Sequence, residues 1–210
     1  MYIIRNRNKR IYCYLYTTMK LQDYKNIASL GICTVSLIAC ILHYYQKADA
    51  LFRVFPLCMG AYFACDLTVN KSLEYRIHHI TSLGIVFYTY YYGVNANEIE
   101  SITYHFIKTE LSTFFLVFRY YLPKGTLLYK TNNYIFYALF TKVRVIDLYQ
   151  NVIGPNSQMY TVIQTYTPDN RLGSSILLSS CYVLYGLNLY WFSIMNRHLY
   201  LQLTSADKDK

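Results

Sequence analysis

Two adjacent histidines, His78 and His79, are the side chains of this chain best suited to chemistry. An imidazole can accept a proton near neutral pH or attack an acyl carbon, and two at a cavity mouth can divide those roles. On a helix, sequence neighbours point about 100° apart, so His78 aligns with Ser82, Ile85 and Thr89 while His79 faces elsewhere. That divergence, with no carboxylate at ligand spacing, argues against a metal site. A structural role competes: an imidazole at a membrane boundary can leave its polar tip among headgroups.

Other polar groups stand inside apolar runs. Lys108, Glu110, Arg119, Lys142, Arg144 and Asp147 do so, and such groups are costly in hydrocarbon unless they face a bundle interior or one another. Arg144 and Asp147, three residues apart, can pair on one helical face. A Glu110 to Arg144 contact between helices competes with that pair. His105, Lys108, Ser112 and Arg119 fall along one stripe, with Glu110 almost opposite. Further along, Ser174, Cys181, Tyr185 and Asn188 share a face suited to helix packing, and Asn188 could also touch a lipid headgroup.

The elements that must position these groups follow from composition. The chain has 210 residues, 54% apolar and 15% charged, which excludes a disordered class. Apolar runs occupy 27–45, 51–69, 80–96, 102–122, 127–149 and 172–195, each near the roughly 20 residues a helix needs to cross hydrocarbon. With the N-terminus placed in the cytoplasm, Lys and Arg of the connecting segments divide fourteen inside to three outside. The spacing therefore predicts an all-α, multi-pass transmembrane helical bundle of six spans around a polar-lined cavity, both termini cytoplasmic. Residues 1–26 read as a basic cytoplasmic segment, 27–199 as the membrane domain and 200–210 as a polar tail.

The net charge of +9 tracks these loops and forms no single basic face, so a nucleic-acid role is disfavoured. The six cysteines form no CxxC and lie mostly in apolar runs, as small buried hydrophobes do. The N-terminal stretch lacks the uninterrupted apolar core of a secretory signal. Asn70-Lys71-Ser72 matches a glycosylation sequon but falls on the cytoplasmic side, as a chance match would. No Gly-rich phosphate loop or GxSxG motif is present. Mean hydropathy is only +0.15, because many of the 26 Tyr sit at run ends, as at Tyr44-Tyr45, Tyr120-Tyr121 and Tyr190, where an amphipathic ring suits the headgroup layer.

In order along the chain come Asp66 near the end of the second run, His78-His79-Ile80, Glu110-Leu111-Ser112-Thr113 running to Arg119, Arg144, and Asn188-Leu189-Tyr190-Trp191-Phe192. Together, over residues 50–199, they resemble the TLC domain, and the Glu110 to Thr113 segment looks most like the smaller TLC domain proteins. The resemblance implies a helical bundle around a lipid-accessible cavity and a part in membrane lipid homeostasis, through lipid sensing, handling or synthesis, commonly at the endoplasmic reticulum. In the ceramide synthase branch a His pair belongs to the active site, which would make His79 the acyl acceptor or base and His78 its neighbour. The acidic pattern expected after that pair is absent here, and His105 is followed by Phe106.

The implied cavity or lipid-binding set is Asp66, His105, Glu110, Arg119, Arg144 and Asn188. No cofactor is expected, and acyl-CoA enters as a co-substrate only with acyl transfer. The expected partners are membrane lipids, with a homo-oligomer open. Abundant Ile, Asn, Lys and Tyr hint at an AT-rich genome such as that of a large DNA virus, and so at a host membrane. The alternatives are an acyl-CoA-dependent N-acyltransferase using His79, and a small channel or transporter lined by Lys108, Glu110 and Arg144.

Overall fold

Long apolar stretches with few breakers fold as helices, and no strand occurs among the described residues. The computed structural model describes residues 26–29, 31–35, 38, 49–69, 72–91, 96–157 and 171–206. Residues 1–25 of the expected basic segment, Asn70 and Lys71 of the sequon and about half of the first expected span lie outside them. Helix α1 covers Asp49–Val69, α2 Leu73–Tyr91, α3 Ala96–Phe118, α4 Leu127–Leu139 and α5 Arg171–Ala206. Residues 26–29 and 31–35 are also helical.

Helix ends depart from the apolar runs where local chemistry decides them. Helix α2 starts at Leu73 with Glu74 in its first turn, where a carboxylate suits the helix dipole. His78 and His79 therefore lie inside the helix and not at its opening. Helix α3 tightens into a 3-10 turn at Arg119–Tyr121 and stops at Leu122, which is extended at ψ 136° because Pro123 disfavours helix in the residue before it. Gly125 turns the chain at φ 85°, and the Thr126 hydroxyl accepts the Tyr129 N–H to open α4. The polar tail expected from residue 200 is helical through Ala206.

From Phe140 the chain continues α4 with a different winding. Residues Phe140–Asp147 and Tyr149–Ile153 are π-helical, and the run ends at extended Gly154. Wider turns of this kind often mark functional positions.

Helix α1 packs on α2, α2 on α5, α3 on α4, and the Phe140–Asp147 segment on both α3 and α5. One apolar cluster holds Ile85, Tyr88, Leu148, Leu177, Cys181 and Leu184; a smaller one holds Met59, Phe63 and Ile107. Helices α2 and α5 meet closely at Gly84, where an added Cβ would stand 3.0 Å from Ser180 Oγ.

Polar side chains share the interior with these apolar clusters. Asp66, His79, Glu110, Ser112, Arg144 and Asn188 are all buried. On α2, which carries His79, Ile80 is 60% exposed and Phe87 62%. By length and composition, Leu172–Leu201 is the one described helix apolar enough to cross a membrane; Leu57–Thr68 is apolar but shorter. Helices α2 and α3 carry too many Tyr, His or charged residues to pass that measure.

Candidate functional site: a buried polar interior

Tyr62 and Asp66 stand one helical turn apart near the end of α1, and that face meets α2. The short connection between the helices makes them antiparallel neighbours, which brings the end of α1 beside the beginning of α2. There His79 Nε2 lies 2.6 Å from Asp66 Oδ2, with side chains 6% and 3% exposed. The contacting carboxylate comes from the preceding helix. A carboxylate at Nε2 fixes the ring and selects the proton at that nitrogen. The opposite nitrogen, Nδ1, is buried without a hydrogen-bond partner among the described residues.

Aromatic rings enclose the pair. The His79 ring centroid is 5.0 Å from Phe63 and 6.3 Å from Tyr62. His78 packs edge-on against Trp191 of α5 at 5.4 Å, and Trp191 meets Tyr75 at 5.6 Å. His78 therefore sits between Phe63 of α1 and Trp191 of α5. Its Nδ1 is also buried without a hydrogen-bond partner among the described residues.

Arg144 organises a second group. Its Nε donates to Ser112 Oγ at 2.7 Å, one Nη to Thr113 Oγ1 at 2.7 Å and the other to Asn188 Oδ1 at 3.4 Å. Glu110 Oε1 is 3.7 Å from the guanidinium, and Cys33 Sγ approaches Glu110 Oε2 at 3.8 Å. On α3, Thr113 stands between the directions of Glu110 and Ser112, so a planar fork lying over Thr113 reaches both. Glu110 and Ser112 thus serve one partner although a helical wheel sets them nearly opposite.

The contact expected between Arg144 and Asp147 is not made. Asp147 instead receives Lys108 Nζ at 3.1 Å, and Lys142 Nζ at its other oxygen. The π winding accounts for this: its i to i+5 repeat turns Asp147 off the Arg144 face and towards Lys142, five residues before it. Lys108, Glu110 and Arg144 therefore form no common line, since Lys108 belongs with Asp147.

The two groups meet the same helical stretch: Tyr62, beside His79, bonds Ser29 Oγ at 2.5 Å, and Cys33, four residues on, approaches Glu110. A set of buried polar groups thus extends from Asp66 and His79 to Glu110, Arg144 and Asn188.

Two expected members stand differently. His105 is half-buried with its ring 5.5 Å from Tyr104. Arg119 lies in the 3-10 turn and makes no ion pair among the described residues. Contributors not singled out from sequence are Cys33, Tyr62 and Phe63. Tyr62, one turn before Asp66, carried a readable signal; Cys33, brought in from a distant segment, carried none.

A family model described as the TLC domain matches residues 24–197. No curated protein and no solved structure matches the chain.

Proposed function

The chain belongs to the TLC domain family, membrane proteins linked to lipid metabolism, and from that premise we propose that it handles membrane lipids through its buried polar interior. The carrying observation is the placement of polar and apolar groups: Asp66, His79, Glu110 and Arg144 are inside, while Ile80 and Phe87 face outwards. A surface of that kind suits acyl chains, and an interior of that kind suits a polar headgroup. The arrangement we favour is a multi-pass bundle with both termini cytoplasmic, at the endoplasmic reticulum or a host membrane. It acts in lipid homeostasis. Lipids retained by the detergent-solubilised chain, identified by mass spectrometry, test this. Enrichment of a lipid class in the wild type and its loss in Arg144→Ala is expected; a bulk-membrane profile in both would overturn the proposal.

The His79 and Asp66 contact favours one finer activity, acyl transfer from acyl-CoA to an amine. With Nε2 held by Asp66, the Nδ1 lone pair of His79 can take the amine proton as the amine attacks the thioester carbonyl and pass it to the departing CoA thiolate, or can itself displace that thiolate and hold the acyl group until the amine takes it. Purified chain given acyl-CoA and a sphingoid amine should then form an amide that His79→Ala abolishes. Absence of amide from well-folded protein would remove acyl transfer and leave lipid handling in place.

A further inference from the structure

Lys108 of α3 and Lys142 and Asp147 of the π-helical segment make a charged cluster separate from His79 and Arg144 in its contacts. Both oxygens of Asp147 are used, one by each ammonium. Its side chain is 9% exposed, whereas Lys108 is 24% and Lys142 61% exposed, so the cluster opens towards the outside of the bundle. The charges do not cancel: two ammonium groups face one carboxylate. Each ammonium has three N–H donors and one hydrogen-bond acceptor among the described residues; Lys108 also lies 5.6 Å over the Tyr104 ring.

Surplus positive charge and unused donors beside lipid are costly, and an oxygen-rich anion relieves both at once. We propose that Lys108 and Lys142 form a binding site for an anionic phosphate group, with Asp147 offsetting only one of their two charges. The phosphate is that of an anionic lipid headgroup or of a small phosphate in solution. Long lysine stems allow the ammonium groups to reach a headgroup from the bundle surface. The site is independent of the His79 chemistry.

The full chain in mixed micelles, given phosphatidylglycerol or phosphatidylcholine, tests this by native mass spectrometry. Wild type should retain phosphatidylglycerol preferentially, unless a small phosphate is the true ligand, in which case inorganic phosphate alone should bind. Lys142→Gln should weaken either ligand about tenfold, the loss of one charge-assisted contact. Its melting temperature should hold, because Lys142 is largely exposed. Asp147→Asn separates a ligand site from a structural triad: it frees both ammonium groups, so anion binding should persist or rise. Inorganic phosphate that displaces the lipid assigns the site to the small anion, and lipid retained against it assigns the site to the headgroup. Neither anion binding to wild type, no effect of Lys142→Gln, or equal loss in Asp147→Asn would each overturn the proposal.

Discussion

His79 Nε2 and Asp66 Oδ2 meet at 2.6 Å across two antiparallel helices, both side chains buried. A buried polar pair is held by its mutual satisfaction, and removing one member strands the other. Asp66→Ala should therefore lower stability by about 3 kcal/mol. Asp66→Asn, which keeps the shape and an acceptor oxygen, should cost less. Thermal unfolding in detergent checks the order; equal midpoints for both variants and wild type would contradict it.

Arg144 spreads its donors over Ser112, Thr113 and Asn188 with Glu110 alongside. An ammonium cannot reproduce that planar fork, so Arg144→Lys should destabilise nearly as much as Arg144→Met, by about 3 kcal/mol. Adding Glu110→Gln to Arg144→Met should recover part of the loss, because it removes the stranded carboxylate. A double-mutant cycle of unfolding midpoints measures the recovery, and strict additivity would count against the contact.

Gly84 faces Ser180 across the α2 and α5 interface, 3.0 Å from an added Cβ to Oγ. Alanine gains about 1 kcal/mol over glycine in a helix, but here the gain is opposed by the contact. Gly84→Ala should stabilise the protein in a Ser180→Ala background more than in wild type. Equal effects in the two backgrounds would place the helices further apart.

Much of this bundle was legible in sequence because apolar runs and periodicity report on helices and their polar faces. Asp66, Glu110, Arg144 and Asn188 were visible as polar residues in apolar surroundings, and all four are buried. Their pairing was less legible. Asp66 and His79 meet because α1 and α2 are adjacent, which spacing along one helix does not encode. Arg144 and Asp147 fit an α-helical pair, and the π winding separates them. The start at Leu73 and the stop at Leu122 were set by a first-turn carboxylate and by Pro123, signals weaker than the apolar runs around them.

The charge distribution along the loops predicts that both termini share the cytoplasmic side. Epitope tags at each end, probed before and after selective permeabilisation of the plasma membrane, should become accessible together. Protection of one tag alone until full permeabilisation would require an odd number of crossings.

The central claim is that this chain acts on membrane lipids through the interior that Asp66 and His79 share. Its most direct measurement is the lipid profile of cells expressing wild type, His79→Ala or no protein, at matched expression. Wild type should shift the abundance of a lipid class, and His79→Ala should return it to the level of cells without the protein. A profile unchanged by well-expressed wild type, or shifted equally by both forms, would contradict the account.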